Sequence, residues 1–168
     1  MPNRQCRSVT AHVKVSEVVP VFAQVLLDAA ERPDLFIWNG AIQERALRAW
    51  LLAHDLPLPD DLVLWLAATG GGDLFECETI LGPYGSVRLG DDLAGANEFM
   101  RDRGLPPELV AFHRGACVSA VNRASGEYVT LVQPDWSLLA RFTSLESWYR
   151  GTLRCEYAGR YGLSGPAG

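Results

Sequence analysis

The sequence predicts an α+β domain built on a mainly antiparallel sheet of about six strands, with helices packed against that sheet. Strand-like segments outnumber helical ones, and most joins between successive strands are too short for the crossover that parallel pairing needs. Hydrophobic residues make up 48% of the 168 residues, which is enough for one continuous core. We therefore expect a single domain over residues 1–157 and a flexible tail over residues 158–168, since the last ten residues hold four glycines and a proline.

Four elements are predicted before residue 55. Apolar and polar residues alternate over residues 9–15, which is the period of a half-buried strand. Helical spacing predicts a helix over residues 20–32, which Pro33 ends, because a proline stops a helical run at the preceding residue. The run at residues 35–38 is rich in β-favouring side chains, and residues 42–51 carry the apolar stripe of a second helix.

The helix after Leu56 is the most clearly marked element of the chain. Pro59 suits the first helical turn, where its missing N–H costs nothing, and Asp60 and Asp61 lie where the helix dipole favours negative charge. The glycines at residues 70–72 can adopt the left-handed conformation that ends a helix. Both ends of this helix are therefore predicted, and a strand is expected to follow it.

Short strands and one further helix are expected next. The strands are separated by turn residues, of which the run Gly82-Pro83-Tyr84-Gly85 is the clearest. Asp91 or Asp92 can cap a helix that reaches about Arg103, with Gly104 as its stop. The strands are predicted at residues 74–76, 79–81 and 86–89.

Four longer strands and a closing helix complete the pattern. Ser125-Gly126 is predicted to join the middle two strands as a hairpin. Thr143 and Glu146 have the spacing of a capping box, and apolar residues at helical spacing follow them. The strands are expected at residues 109–114, 117–122, 127–133 and 138–142, and the inner face of the closing helix at Leu145, Trp148, Tyr149 and Leu153.

The order of these signals resembles that of the SUKH superfamily, which includes many bacterial immunity proteins and some cell-wall-assembly regulators. Its opening signature is a Leu-Pro pair, a short helix, a Gly-Gly turn and an aromatic-containing strand, which match the run LPLPDDLVLWLAATGGGDLFECE at residues 56–78. The second half of the signature matches residues 105–112, the strand, turn and strand at 120–129, and the final helix at 144–149. The resemblance implies a SUKH-like core over residues 55–155, to which residues 1–54 add a strand and helices.

One segment departs from the family pattern. The family usually carries an acidic-glycine turn before its paired strands, whereas this chain has His113-Arg114-Gly115-Ala116 there. For function, the resemblance implies either the capture of a toxin by an immunity protein or a regulatory scaffold that needs no toxin.

The charge distribution indicates a protein partner rather than nucleic acid. The net charge is −5, and residues 49–100 contain nine acidic residues against one basic residue, Arg88. An acidic region repels nucleic-acid phosphates and attracts a basic protein surface. We therefore expect a partner with a basic surface and no binding of nucleic acid. A solvated acidic face that keeps the protein soluble is the simpler alternative.

The sequence contains no recognisable catalytic or metal-binding set. Its four cysteines are spread singly, its three histidines lie far apart, and it has no Ser-His-Asp, phosphate-loop or zinc pattern. We therefore expect no enzyme activity, no cofactor and no metal. No window is long and apolar enough to span a bilayer, and the first residues lack the apolar region of a secretion signal, so a cytoplasmic protein without a membrane partner is expected.

The resemblance implies a bacterial immunity protein that binds and neutralises a cognate toxin, and the acidic middle of the chain and the missing catalytic set are consistent with that function. Its contact surface is expected to include Tyr84 and Trp136, two aromatic residues in turns, although Trp136 can equally fold back over the sheet edge. The alternatives are a small enzyme or ligand-binding domain whose cleft uses His113 with Glu127 or Asp135, and a regulatory scaffold of the same fold. The sequence leaves the oligomeric state open. The acidic residues expected at the contact surface are Asp73, Glu76, Glu78, Asp91 and Asp92.

Overall fold

The computed structural model describes residues 22–165, and the strand expected at residues 9–15 lies outside them. Seven strands form one antiparallel sheet in which each strand pairs with the next along the chain. The α+β class is therefore confirmed, with slightly more strands than expected. The strands are β1 (Phe36–Trp38), β2 (Gly72–Leu74), β3 (Glu78–Ile80), β4 (Leu109–Arg114), β5 (Val118–Asn122), β6 (Tyr128–Val132) and β7 (Ser137–Phe142).

Helices occur at every position where the described part of the chain was predicted to be helical. A 3₁₀ turn (Pro33–Leu35) precedes β1, and a π-helical segment (Tyr149–Arg154) joins the last two α-helices. None of the helices in residues 22–165 has both the length and the apolar character that crossing a bilayer requires. The helices are α1 (Ala23–Glu31), α2 (Glu44–Ala53), α3 (Asp60–Thr69), α4 (Leu93–Arg101), α5 (Leu145–Trp148) and α6 (Cys155–Tyr161).

The helix α3 begins and ends where its sequence signals indicate. Gly70 adopts the left-handed conformation with φ of 71° and ends the helix. Gly72 lies so close to β1 that a Cβ atom there would be 2.1 Å from the carbonyl oxygen of Ile37. At the other end, the Asp61 carboxylate accepts hydrogen bonds from the Tyr128 hydroxyl at 2.6 Å and the Leu145 backbone N–H at 2.8 Å. These contacts fasten α3 to β1, β6 and α5.

Helices cover both faces of the sheet. Trp65 of α3 and Trp148 of α5 are fully buried, with ring centroids 6.3 Å apart. On the other side, α4 packs against β4, with Leu93 and Met100 among its buried residues. Successive residues of a strand point to opposite faces, so Val118, which lies beside α4, faces away from α5 and the π-helical segment.

The segment predicted as a strand at residues 86–89 is a loop, and that prediction is wrong. Its backbone bonds close locally: the N–H of Leu89 donates to the carbonyl of Ser86 at 3.1 Å, and that of Gly90 to the carbonyl of Val87 at 3.2 Å. Polar and apolar residues therefore alternate here along a turn-rich loop and not along a strand. The apolar side chains of this loop are exposed.

The capping box of the closing helix lies one residue later than predicted. Ser144 and Ser147 form it, because the side chain of Glu146 is already engaged by Arg150, whose Nε donates to it at 2.8 Å, and by the backbone N–H of Gln24 at 3.2 Å. The apolar inner face of the closing helix is buried as expected.

The chain remains structured beyond the expected boundary at residue 158. Helix α6 continues to Tyr161, and Leu163 is buried against the core. The Ser164 hydroxyl donates to the Glu31 carboxylate at 2.7 Å, which connects this end of the chain to α1. A few core contacts, among them those of Ala158 and Leu163, and long-range hydrogen bonds thus order a segment whose glycine content predicted a tail.

Candidate functional site

A groove of about 710 Å³ lies between α4, the loop of residues 83–92 and the adjoining ends of β3 and β4. Three apolar side chains on its walls are exposed: Val87 by 79%, Leu89 by 64% and Phe99 by 53%. Isolated exposed apolar residues are ordinary, but a cluster beside a groove is typical of an interaction site. We call Val87, Leu89 and Phe99 the apolar rim.

The loop that carries two of the three residues of the apolar rim is held in place by Arg114 at the end of β4. The Arg114 guanidinium donates to the carbonyl of Leu89 at 2.8 Å and pairs with the Asp91 carboxylate. At the base of the loop, the Gly82 N–H donates to the Asp91 carbonyl at 3.2 Å, and the Leu93 N–H donates to the Gly82 carbonyl at 2.8 Å. The loop is therefore fixed against the sheet, with its apolar side chains beside α4.

The residue that α4 contributes to the apolar rim points away from the core. Residues Leu93, Ala96 and Met100 form the buried stripe of the helix, and Phe99 falls outside that stripe. The guanidinium of Arg103 lies over the Phe99 ring, 3.4 Å from its centroid, and leaves about half of the side chain exposed. Phe99 is not among the residues that the sequence predicted at a contact surface; a large aromatic residue off the apolar stripe of its helix is the signal that could have identified this surface.

Three of the acidic residues expected at a contact surface border this groove. Asp92 lines it and caps α4 by accepting from the Gly95 N–H at 2.8 Å, and Asp91 is held by Arg114. Asp73 is exposed and accepts at 2.9 Å from the hydroxyl of Thr79, which lines the groove. Glu76 is also exposed, but it does not line the groove, and its carboxylate accepts from the Tyr161 hydroxyl of α6 at 3.1 Å.

Glu78, the fifth acidic residue, lies in the interior and cannot contact a partner. Its side chain is buried, and the residue is 2% exposed. Before it, Phe75 and Glu76 have positive φ angles of 52° and 68°. This tight turn breaks the strand alternation, so Glu76 points to solvent while Glu78 opens β3 and points inward.

The two aromatic residues expected at the surface differ in their surroundings. Tyr84 is 63% exposed and its ring packs edge-on against Trp50, with centroids 6.5 Å apart. Trp136 is half-buried and folds back: its indole Nε1 donates to the carbonyl of Arg103 at 2.8 Å, and the ring packs on the core. Trp136 therefore supports the end of α4 instead of projecting from the protein.

A row of polar side chains crosses the opposite face of the sheet. His113 of β4 contacts Glu78 through Nε2 at 2.8 Å and Ser119 of β5 through Nδ1 at 3.0 Å. From Ser119 the row continues to Thr130 of β6 at 3.5 Å and to Thr152 of the π-helical segment at 3.3 Å. Each strand contributes one polar residue to this row, and the sequence shows these polar residues within largely apolar stretches. Only the strand register shows that their side chains meet.

This row of hydrogen-bonded side chains ends at the carboxylate of Glu78, which acts as a hydrogen-bond acceptor. Burial raises the pKa of Glu78, but hydrogen bonds from His113 and Tyr157 outweigh burial and leave the pKa below its usual value. Burial and hydrogen bonds with Cys77 and Glu78 in turn raise the pKa of Tyr157. Glu78 therefore stays ionised at neutral pH, and the Tyr157 hydroxyl stays protonated and donates to it.

The two acidic residues expected to act with His113, Glu127 and Asp135, bind other residues. Glu127 pairs with Arg141 at the sheet edge, at 2.5 Å, and Asp135 accepts from the Ser137 hydroxyl at 3.1 Å within its own turn. The contact between His113 and Glu78 replaces them. Within residues 22–165, no group of three or more His, Cys, Asp or Glu side chains is arranged to hold a metal ion.

A smaller cavity of about 300 Å³ lies over this polar row. Its walls come from β6 and β7 on one side and from the π-helical segment and α6 on the other, with Glu78, His113 and Tyr157 at its base. Ser119 does not line the cavity and is fully buried. The hydroxyl next to His113 therefore has no access to a substrate.

Comparisons with protein-family models and with curated proteins found no match for this chain.

Proposed function

We propose that this chain is a non-catalytic immunity protein that binds and neutralises a protein toxin through the groove beside α4. The observation that carries the proposal is the apolar rim: three large apolar side chains stay exposed around one groove, beside the continuous core that the described residues bury. Exposed apolar clusters of this kind are characteristic of surfaces that a partner covers.

The charges around the groove support a partner with a basic surface. Asp73 lies exposed beside the groove, and Asp92 lines it. Two basic residues, Arg88 and Arg114, also line the groove, but Arg114 is neutralised by Asp91. The acidic residues would attract a basic partner during encounter, and the apolar rim would slow its release.

The resemblance to the SUKH superfamily supports the choice of a toxin as the partner. The residues that carry the resemblance form α3, the glycine stop, the β4 to β6 region and the closing helix. Most residues that line the groove lie along the chain between the two halves of that pattern, from Thr79 to Met100. A regulatory scaffold of the same fold would use the same surface for a different protein.

The cavity beside His113 favours a second candidate, a small enzyme, but its chemistry supports that function less well. A general base works best when its pKa is near the working pH, whereas hydrogen bonds hold the pKa of Glu78 low. The neighbouring hydroxyl of Ser119 is fully buried and has no route to a substrate. Both features suit a structural network better than a catalytic one.

Co-expression with the product of the neighbouring gene tests the proposed function, because an immunity gene usually lies beside the gene of its toxin. We expect the neighbouring product to inhibit growth when expressed alone. We expect growth to be restored, and both proteins to be purified together, when this chain is expressed with it. A neighbouring product that is harmless alone, or whose toxicity this chain does not relieve, would contradict the proposal.

A further inference from the structure

The cavity over the polar row is separate from the proposed toxin surface. It lies on the face of the sheet that carries the π-helical segment, whereas the groove lies on the face that carries α4. Its volume of about 300 Å³ is at the lower end of the range for small-molecule sites. The cavity therefore has room for a small compound but not for a segment of a protein.

The charged groups of this cavity are all acidic. Glu78 and Glu156 line it, and none of the described residues in its walls is a lysine or an arginine. Glu156 is exposed at its mouth, while Glu78 is buried at its base. The pKa of Cys117, which also lines the cavity, is raised by burial and by the negative charges of both glutamates.

The hydrogen-bond donors of the cavity walls are already committed, which leaves the walls rich in acceptors. The Tyr157 hydroxyl donates to Glu78, and His113 shares its Nε2 with the same carboxylate. The hydroxyls of Thr130 and Thr152 are hydrogen-bonded to each other at 3.3 Å, and each retains lone pairs. A ligand that supplies several N–H donors and a positive charge matches such walls.

We propose that this cavity binds a small organic cation, a compound with one ammonium or guanidinium group on a short apolar chain. Its charged group pairs with Glu156 and donates hydrogen bonds to the threonine hydroxyl oxygens, while its chain packs on Leu139 and Ala140 of β7. This site does not depend on the proposed toxin surface, and it requires no catalysis.

Titration with butylguanidinium, compared with its uncharged analogue butylurea, tests the site. We expect saturable binding of butylguanidinium in calorimetry and amide shift changes in the region 151–157, with no saturable binding of butylurea. Glu156→Gln should weaken binding about fivefold, the size expected for a partly exposed ion pair. Glu98→Gln, at an exposed position on α4, is the matched control and should bind like the wild type.

Two outcomes would overturn this site: equal binding of the charged and uncharged compounds, or equal weakening by the two glutamine variants, which would indicate non-specific attraction by net charge.

A lysine or arginine side chain of the toxin is a second source of the same cationic chemistry. Saturating butylguanidinium should leave toxin affinity unchanged if the cavity binds free cations, whereas competition would assign the cavity to the toxin and contradict the proposal.

Discussion

The Glu78 carboxylate and the His113 imidazole form a buried pair, with 2.8 Å between Oε2 and Nε2, in the layer between the sheet and the π-helical segment. The pair joins β3 to β4 at the turn where the chain departs from the SUKH pattern. It also separates the two concave sites, since Gly115 of the groove wall lies against the same carboxylate. The first two predictions concern this pair.

Glu78→Gln should destabilise the protein at neutral pH by about 2–4 kcal/mol, because a buried network loses its charged acceptor. The pKa of Glu78 is lower in the folded state than its usual value of 4.5, so its stabilising contribution is present above that value and is lost as the pH falls through the folded pKa. The difference in unfolding free energy between wild type and variant should therefore shrink below about pH 4.5. Urea denaturation at pH 7 and pH 4 measures this difference, and a difference independent of pH would contradict it.

Gly115→Ala should destabilise the protein by about 1–3 kcal/mol through overpacking. A Cβ atom at this position would lie 1.5 Å from Glu78 Oε2. The cost should be smaller in a Glu78→Ala background, where the carboxylate is absent, and a double-mutant cycle measures that coupling. Gly159→Ala is the matched control: nothing lies within 4 Å of its Cβ position in α6, so we expect it to stabilise the helix by up to about 1 kcal/mol. Equal effects at the two glycines would count against the packing described around Glu78.

Asn97→Ala should loosen the attachment of α4 to the sheet. The Asn97 side chain accepts from the Ala111 N–H and donates to the Ala111 carbonyl, both at 2.8 Å, where β4 carries a bulge. The variant leaves two buried backbone groups without a partner, at a cost of about 1–3 kcal/mol for each group. Thermal unfolding measures the loss, with Glu98→Ala at the next, exposed position as the control. An Asn97 variant as stable as that control would contradict this prediction, because it would show that water can hydrogen-bond to the two backbone groups in place of the Asn97 amide.

The acidic border of the groove should control the rate of toxin binding more than the lifetime of the complex. The variant Asp73→Lys should slow association and flatten its dependence on salt, because encounter with a basic partner is steered by charge. Glu108→Lys changes the same charge at an exposed position at the opposite end of β4 and should have little effect. Stopped-flow association rates at low and high salt distinguish the two variants. Equal slowing by both would assign the effect to net charge.

The sequence predicts well those elements whose signals are local. The start of α3 at Asp60 and its stop at Gly70 depend on residues within one helix, so they could be located without knowledge of the fold. The inward orientation of Glu78 depends on a turn with unusual backbone angles at residues 75–76. The assembly of the polar row likewise depends on strand register, which no single segment specifies.

Only part of the candidate surface could be predicted from the sequence, because the exposure of its apolar residues also depends on contacts between distant segments. Charge composition indicates the acidic region, and three of the five acidic residues expected at the contact surface border the groove. The alternation at residues 86–89 predicts a paired and partly covered strand, so the sequence does not reveal Val87 and Leu89 as exposed residues of the apolar rim. Whether an apolar side chain in a loop is exposed depends on long-range contacts such as those of Arg114.

The affinity of the toxin for Phe99→Asp, compared with Leu27→Asp, tests the central claim most directly. Both positions are exposed apolar residues on helices, but only Phe99 belongs to the apolar rim, while Leu27 lies on α1. Calorimetric titration with the neighbouring gene product should show a loss of affinity of about thirtyfold or more for Phe99→Asp, as for a residue at the centre of an interface, and wild-type affinity for Leu27→Asp. Undiminished binding by a folded Phe99→Asp protein would contradict the assignment of the groove as the toxin-binding surface.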